Sequence, residues 1–377
     1  MKVKIAASAV LICFVSLLLL ELNYLRNDSA AGQLDVFVGI DAAYDNIESI
    51  KALVNEIKTY TNFFVVGSSG VTLDLDKLND VCQYLNDSGL HFATYTHTTT
   101  KFNQSQWIIE ARAKWNKYFR GLYTYDEPGG HLIDRDDPFM VITEASNYSD
   151  AAAKYVENLR CILSEYKIHD FPLLTSDYAL YEFDYRGGYD VVLVEYAWNH
   201  SRSIHTALCR GAATMHGKEW GVMITYTYTA PPYLASGEEI FADMVNAYQN
   251  GAKYIVVFDY AKDPTTNSTY GILQQEHLDA LKQFWQYAKT NPRKSTTPEE
   301  RVAYVLPKDY GYGFRGTSDW IWGLFNPDNQ SSVIWLDVSK WVENCQPRID
   351  IIYEDTLYYA TANYSKLVFW NGTMLTK

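Results

Sequence analysis

The chain has 377 residues, 47% of them hydrophobic, and a formal net charge of −13 at pH 7. This size and apolar content exclude a disordered chain and predict one large domain plus a small one. Lys and Arg form no cluster beyond the first residues, which excludes nucleic acid as a partner because phosphate binding needs a basic surface.

The first element in the chain is an N-terminal apolar segment. Lys2 and Lys4 precede an uncharged, mainly apolar run over residues 5–20, and further apolar residues extend it to residue 25. A bilayer span takes about 20 residues and a cleavable signal core about 7–15, so the run lies between the two cases. We interpret residues 1–30 as a signal anchor or signal peptide that meets the membrane through residues 5–25, with an uncleaved anchor favoured. The alternative is a buried helix of the globular domain.

Sites for N-linked glycosylation are frequent along the chain. The pattern Asn-X-Ser/Thr begins at nine positions, more than chance would produce: Asn27, Asn86, Asn103, Asn147, Asn199, Asn267, Asn329, Asn363 and Asn371. Such sites are used on exported proteins. Together with the N-terminal segment, they predict a glycoprotein at the cell exterior, membrane-anchored or secreted.

The cysteines and histidines give no sign of a metal site or a cofactor. Cys13 lies in the apolar segment, and Cys82, Cys161, Cys209 and Cys345 are scattered without a Cys-x-x-Cys pair. We therefore expect no metal and no cofactor. Cys82, Cys161 and Cys209 fall in apolar helical patterns on separate helices, so we expect no disulfide among these three.

From residue 33 to 290, strand-like and helix-like segments alternate. The strand-like segments are Asp35–Ile40, Phe63–Gly67, His91–Tyr95, Gly121–Tyr125, Pro172–Thr175, Val191–Tyr196, Gly221–Tyr226 and Tyr254–Phe258. The segments with helical spacing of apolar residues are Ile47–Thr59, Leu75–Ser88, Gln106–Tyr118, Asp150–Tyr166, Ile204–His216, Gly237–Asn250 and Leu273–Lys289.

This alternation predicts an α/β fold, with eight parallel strands in a closed (β/α)₈ TIM barrel over residues 33–290. A Rossmann fold lacks its Gly-x-Gly-x-x-Gly fingerprint after the first strand. Residues 291–300 are a Pro- and Thr-containing linker. Residues 301–377 are predicted to form a small α/β domain with strands Val302–Leu306, Ile349–Tyr353 and Lys366–Trp370 and a helix Val333–Asn344.

Carboxylates and aromatic residues follow most of the predicted strands, at the end of the barrel where active sites form. Asp126 and Glu127 follow strand 4, and Glu195 closes strand 6. Carboxylates can protonate a glycosidic oxygen and stabilise an oxocarbenium-like centre, while aromatic rings stack on sugars. We therefore expect a carbohydrate substrate or ligand, with the remaining candidates as substrate-binding residues: Asp41, Tyr44, Tyr95, His97, Tyr125, Asp177, Tyr196, Trp198, Tyr226, Tyr228 and Asp259.

On these residues the chain resembles the glycoside-hydrolase-type TIM-barrel superfamily. The segment Arg301–Arg315 and the triplet Ile321-Trp322-Gly323 also resemble segments that follow such barrels in uncharacterised archaeal exported proteins. The resemblance implies two catalytic carboxylates, after strands 4 and 7 or after strands 4 and 6. Strand 7 is followed by no acid before Glu238, so the second arrangement is the one available here.

We therefore predict Glu127 and Glu195 as the catalytic pair, with Asp126 as an orienting or alternative acid. Carboxyl groups from strands 4 and 6 can face each other at about 5–9 Å, the range that retaining and inverting mechanisms use. The acids of the Asp126-Glu127 turn could instead be solvated, and Glu195 could belong to a structural ion pair.

Two other functions compete with hydrolysis. The missing acid after strand 7 favours a non-catalytic carbohydrate-binding or envelope-associated protein on a degenerate glycosidase barrel. A metal-dependent polysaccharide deacetylase would need clustered His and Asp ligands, and only His97 among the eight histidines follows a strand.

Overall fold

Eight parallel strands close into a barrel in the computed structural model of the chain. They are β1 Phe37–Ala43, β2 Phe63–Val66, β3 His91–Tyr95, β4 Phe119–Tyr123, β5 Leu173–Asp177, β6 Val191–Tyr196, β7 Glu219–Ile224 and β8 Tyr254–Tyr260. Each strand pairs with its neighbours in the chain, and β8 pairs with β1 to close the ring. Helices follow the strands, as in a (β/α)₈ TIM barrel, and a small sheet follows the barrel.

The structure describes residues 34–97, 100–135, 137–263, 265, 270–293, 297–345 and 348–376. The predicted membrane segment, Cys13, Asn27 and Asn267 lie outside these ranges. Within them, no helix combines the length and the apolar character that crossing a bilayer requires. One compact unit extends from Val36 to Lys377, and it contains both the barrel and the C-terminal sheet.

The barrel helices match the predicted pattern, with three short additions. They are α1 Ile47–Ile57, α2 Ser69–Thr72, α3 Leu75–Asp87, α4 Gln104–Trp115, α5 Pro128–Ile133, α6 Tyr148–Lys167, α7 Tyr181–Gly187, α8 Arg202–His216, α9 Gly237–Gln249 and α10 Gln275–Thr290. The additions α2, α5 and α7 have four to seven residues, too few to show an apolar period. Two of them, α5 and α7, lie beside the candidate site.

The interior of the barrel is filled by every second residue of its strands. Val191 and Leu193 of β6 pack there with Leu174 of β5, Met223 of β7 and Val256 of β8. Since side chains alternate between the two faces of a strand, the next residues of the same parity also point inward, toward the mouth. This alternation decides which strand-end residues can meet in the centre.

The C-terminal region forms a four-stranded sheet of order β10-β9-β11-β12. Its elements are β9 Val302–Leu306, α11 Ser331–Cys345, β10 Ile349–Tyr353, α12 Leu357–Asn363, β11 Lys366–Phe369 and β12 Met374–Thr376. The sheet packs on α8, where Arg210 forms an ion pair with the buried Asp350 at 2.5 Å. Gly211 of α8 lies against the backbone of Ile351 so closely that a Cβ would collide with it.

Candidate active site

Three acids from two distant parts of the chain meet at the carboxyl end of the barrel. Asp126 and Glu127 lie in the loop that joins β4 to α5, and Glu195 is the inward-pointing residue near the end of β6. The carboxyl groups of Glu127 and Glu195 are in hydrogen-bonding contact when a proton lies between them. Asp41 of β1 is inward by the same parity and close enough for its charge to be felt by this group. These four side chains are called the carboxylate cluster below.

Two hydroxyl groups connect the cluster. Tyr123 donates to Asp126 Oδ1, and the Ser176 hydroxyl lies 2.5 Å from Glu195 Oε1 and 3.0 Å from Asp126 Oδ1. The backbone N–H of Ser176 donates to the Tyr123 hydroxyl at 3.2 Å. Because one hydroxyl proton can serve only one acceptor at a time, protonation of Asp126 and of Glu195 is linked through Ser176.

The loop that carries Glu127 has an unusual backbone. Tyr125 and Glu127 have φ of 49° and 50°, in the left-handed region that side chains other than glycine rarely adopt. Glu127 N–H donates to Ser176 O at 3.0 Å, and Asp177 accepts from Gly129 N at 2.6 Å and from Gly130 N at 2.8 Å. These bonds from β5 fix the start of α5 and thereby the position of Glu127.

Burial raises the pKa of every member of the carboxylate cluster, and the charges of neighbouring carboxylates raise it further for Glu127, Glu195 and Asp41. For Asp126, hydrogen bonds from Tyr123 and Ser176 oppose the effect of burial. For Glu127 the largest cause is burial, followed by the charges of Glu195 and Asp126. Burial is also the largest cause for Glu195, whose side chain is 4% exposed, and for Asp41. No ion pair among the described residues includes a member of the cluster. The cluster therefore retains protons near neutral pH, and Glu195 is not held in the structural ion pair considered above.

An aromatic cleft of about 560 Å³ opens at the same end of the barrel. Its aromatic residues are Trp198, Tyr226, Tyr228, Tyr233 and Tyr260. Trp198 lies three residues after Glu195 in the chain, but no member of the carboxylate cluster is among the described residues that line the cleft. Three of the predicted substrate-binding residues, Trp198, Tyr226 and Tyr228, thus share one surface.

Tyr95 lies on the cluster side of the mouth, next to Tyr123. Burial and the charges of Asp126 and Asp41 raise its pKa to about 12. His97 is farther out on the same side, where Nε2 is 3.0 Å from the Thr72 hydroxyl and burial lowers its pKa.

Four other predicted substrate-binding residues are turned away from the mouth. Tyr196 points outward from β6, where its hydroxyl is 2.7 Å from that of Thr206. Asp177 and Asp259 are fully buried, and Tyr44 lies beside Asp259.

The bonds of these two aspartates are structural. Asp177 accepts four backbone N–H bonds, from residues 129, 130, 178 and 179. Asp259 accepts from Leu273 N at 3.0 Å. Tyr125 is also occupied, since its hydroxyl donates to Phe139 O. The side chains of Tyr196, Asp177 and Asp259 lie between the strands and the surrounding helices. Their positions therefore do not support a substrate-binding role.

Tyr123 and Ser176 are the site residues that the sequence analysis missed. Both lie on the inward face of their strands, two positions after Gly121 and Leu174 respectively. Because side chains alternate between the two faces of a strand, this two-residue spacing could have identified them from the sequence. Among the residues that the structure describes, no group of three or more His, Cys, Asp or Glu side chains is arranged to hold a metal ion.

Known proteins share the fold of this chain, but none is similar enough in sequence to indicate its activity. No protein-family model and no curated protein sequence matches the chain. The structure is similar to that of a β-galactosidase from the psychrophilic Marinomonas ef1, with a TM-score of 0.56 and 11% identity over 89% of this chain and 72% of that one.

A weaker likeness, with a TM-score of 0.45 and 11% identity over 89% of this chain and 70% of the other, is to the catalytic module of a family 98 glycoside hydrolase from Streptococcus pneumoniae TIGR4. The chain thus shares a TIM-barrel fold with the β-galactosidase. The resemblance to uncharacterised archaeal exported proteins finds no support in these comparisons.

Proposed function

We propose that the protein is a glycoside hydrolase in which Glu127 and Glu195 are the catalytic pair. The observation that carries the proposal is the contact between these two carboxyl groups, which come from different strands to the mouth of the barrel. Burying several carboxyl groups without a cation costs stability, so their assembly calls for a function. The likeness of the fold to a β-galactosidase supports the same class of reaction.

The surroundings of the two acids suggest a division of roles. Burial and two neighbouring carboxylates raise the pKa of Glu127, which suits a general acid that must hold its proton. Glu195 accepts a hydrogen bond from the Ser176 hydroxyl, which favours its charged form and opposes the effect of burial. Its pKa of about 8 stays below that of Glu127, so Glu195 loses its proton first, as the nucleophile of the pair must. In the first step Glu127 gives its proton to the glycosidic oxygen, that C–O bond breaks, and a Glu195 oxygen bonds to the anomeric carbon. Water then cleaves this ester while Glu127 takes back a proton.

The spacing favours retention of configuration at the anomeric carbon. Retaining enzymes hold the two carboxyl groups about 5–5.5 Å apart, whereas inverting enzymes need about 6.5–9.5 Å to fit a water between them. The contact between Glu127 and Glu195 is closer than either range, so the two groups must separate to admit a sugar, and the retaining distance requires the smaller movement. The aromatic cleft at the same end of the barrel would hold part of the sugar, with Trp198 and Tyr226 stacking on its apolar face.

The test is hydrolysis of a panel of 4-nitrophenyl glycosides by wild type, Glu127→Gln and Glu195→Gln. We expect each variant to lose on the order of 10²-fold or more in kcat. Asp190→Asn is the control, because Asp190 lies at the opposite end of β6, where it pairs with Lys167 and Lys218. Added azide should restore turnover with retained configuration in a variant lacking the general acid and with inverted configuration in one lacking the nucleophile. Full activity of either Gln variant would refute the assignment.

A second candidate function is carbohydrate binding without catalysis. The region after β7, residues 225–232, contributes no carboxylate, and the contact between Glu127 and Glu195 must open before a sugar can pass between them. Under this alternative the wild type hydrolyses no glycoside, yet binds oligosaccharides through the aromatic cleft. Calorimetric titration of wild type and Trp198→Ala with the same sugars distinguishes the two functions.

We also propose that the protein acts at the cell exterior, anchored or secreted through residues 1–30. The nine glycosylation sequons support this location. All seven acceptor asparagines in the described ranges are at least partly exposed, as a glycan requires: Asn86, Asn103, Asn147, Asn199, Asn329, Asn363 and Asn371. Mass spectrometry of the protein from its source cells, with detergent extraction of the membrane fraction, would test the glycans and the anchor separately. Unmodified acceptor sites in a protein found only in the soluble fraction would contradict the proposal.

A further inference from the structure

The short helix α5 connects the carboxylate cluster to the C-terminal region. Glu127 is its N-cap residue, and Asp134, seven residues later, is its C-cap residue. A six-residue helix has too few internal hydrogen bonds to be stable alone, so its position depends on its neighbours. Its first turn is held from β5 by Asp177.

The other end of α5 is held by a segment from outside the barrel, residues 309–323, which we call the C-terminal brace. Arg315 in this segment donates to Asp134 Oδ1 and to the last helical carbonyl, Ile133 O, at 3.2 Å. Two bonds to Asp319, at 2.9 and 3.1 Å, fix the guanidinium of Arg315 in turn. A cation at the C-terminal end of a helix also complements the helix dipole.

The fit between brace and helix is close at several points. Arg135 lies over the ring of Trp320, with its guanidinium carbon 3.5 Å from the ring centroid. Gly323 has φ of 61° and lies so near Leu132 O that a Cβ would collide with it. Trp322 anchors the brace behind this contact, fully buried and 4.4 Å from Phe183 between ring centroids. The brace is therefore an ordered part of the protein with a fixed relation to α5.

Tyr178 extends this network to both parts of the mouth. Its hydroxyl donates to Asp134 Oδ2 at 2.6 Å, so Asp134 accepts from Arg315 and Tyr178 at the same time. The Tyr178 ring lies against Gly130 of α5, where no Cβ could fit, and its edge meets Trp198 of the aromatic cleft at 5.5 Å between centroids. Arg315 is therefore connected to the aromatic cleft through Asp134 and Tyr178. It is connected to Glu127 through helix α5, whose C-terminal end it contacts.

We propose that Arg315 is a positioning residue for the active site and that the C-terminal brace completes the barrel. By holding Asp134 and Tyr178, Arg315 sets the distance between Glu127 and Glu195 and the orientation of Trp198. The proposal deepens the hydrolase function and rests on it for the effect on turnover. The effect on the Glu127 carboxyl is independent of any substrate.

The first test is the titration of the Glu127 side-chain carboxyl by ¹³C NMR in glutamate-labelled protein, with Glu127→Gln used for assignment. In Arg315→Ala, the Glu127 pKa should fall by about one unit or more, because the loop moves away from Glu195 and into solvent. Asp134→Asn should shift it in the same direction by less, and it keeps the bonds between Arg315 and Asp319. If Arg315→Ala does not fold, the Glu127 pKa measured in Asp134→Asn tests the proposal instead.

The matched control is Arg301→Ala. Arg301 forms an equivalent partly buried ion pair with Asp350 inside the C-terminal sheet and does not touch α5. Arg301→Ala should lower the melting temperature as Arg315→Ala does, while the pKa of Glu127 stays unchanged. A Glu127 pKa that is the same in wild type, Arg315→Ala and Asp134→Asn would overturn the proposal and leave Arg315 a merely structural residue.

Turnover provides the second test. Arg315→Ala should reduce kcat on the best 4-nitrophenyl glycoside on the order of 10²-fold, since an ångström of misplacement can cost that much. Arg315→Lys should recover part of the loss, and KM in Arg315→Ala should rise by no more than about 2- to 10-fold, the increase expected for complete loss of the Trp198 stacking contact. If the wild type hydrolyses no glycoside, the proposed function fails while the titration still decides whether the brace positions Glu127.

Discussion

Asp177 is the residue through which β5 holds the Glu127 loop, and its replacement by asparagine gives a quantitative test of that role. The two carboxylate oxygens accept four backbone N–H groups, with distances of 2.6, 2.7, 2.8 and 3.0 Å. Asparagine keeps one oxygen, which can still serve Gly130, Tyr178 and Ala179. Its amide nitrogen then faces Gly129 N–H, so one buried donor loses its acceptor and meets another donor.

Leaving one buried donor unsatisfied costs about 1–3 kcal/mol, and the three remaining bonds lose their charge assistance. We therefore expect Asp177→Asn to lower the free energy of unfolding by about 2–4 kcal/mol. Urea unfolding at about pH 8 measures this, since burial raises the pKa of Asp177 to about 6 and the group is then ionised.

Asp80→Asn is the control for this experiment. Asp80 is an exposed carboxylate that pairs with Lys51 at 2.8 Å, so its replacement should cost less than about 1 kcal/mol. If Asp177→Asn is no more destabilising than Asp80→Asn, the four backbone bonds do not hold the loop and the reasoning is wrong.

Three further predictions concern pH, the nucleophile and the aromatic cleft. Between about pH 7 and 8 the unfolding free energy should fall by up to ~1.4 kcal/mol per pH unit for each proton involved. The reason is that the native state still binds protons that the unfolded state has released, for example on Glu195, whose pKa is raised to about 8. An unfolding free energy that rises over this pH range would contradict the raised pKa of Glu195. Ser176→Ala removes a hydrogen bond to the charged form of Glu195, so the acidic limb of the pH–rate profile should move to higher pH; an unchanged limb would remove Ser176 from the mechanism. Trp198→Ala should raise KM about 2- to 10-fold with kcat nearly unchanged, as expected for loss of one stacking contact, and steady-state kinetics would refute a stacking role if KM stayed constant.

The sequence was sufficient for the architecture because strand and helix periods differ and alternate over eight units. The predicted bounds of Val191–Tyr196, Val302–Leu306 and Ile349–Tyr353 agree with the structure to the residue. Strand 4 was placed two residues too late, at 121–125 instead of 119–123, because Tyr125 continues the aromatic pattern beyond Tyr123, the last residue of the strand. Strand 7, predicted as 221–226, was displaced in the same direction.

The site could be predicted only as far as the strand ends. Asp126, Glu127 and Glu195 were predicted and are brought together, whereas Tyr196 is the neighbour of Glu195 in sequence and points the opposite way. Applying the two-residue alternation to the interior residues would have separated these cases and added Ser176. Arg315 carried no local signal, because it meets Asp134 across 181 positions of sequence.

The central claim is that Glu195 bonds to the sugar while Glu127 supplies the proton. A 2-deoxy-2-fluoro glycoside with a good leaving group slows the hydrolysis of the intermediate, so mass spectrometry of the digested protein can locate the covalent ester. We predict the label on the peptide that contains Glu195 and none in Glu195→Gln. A label on Asp126, or turnover with inverted configuration and no label, would contradict the account.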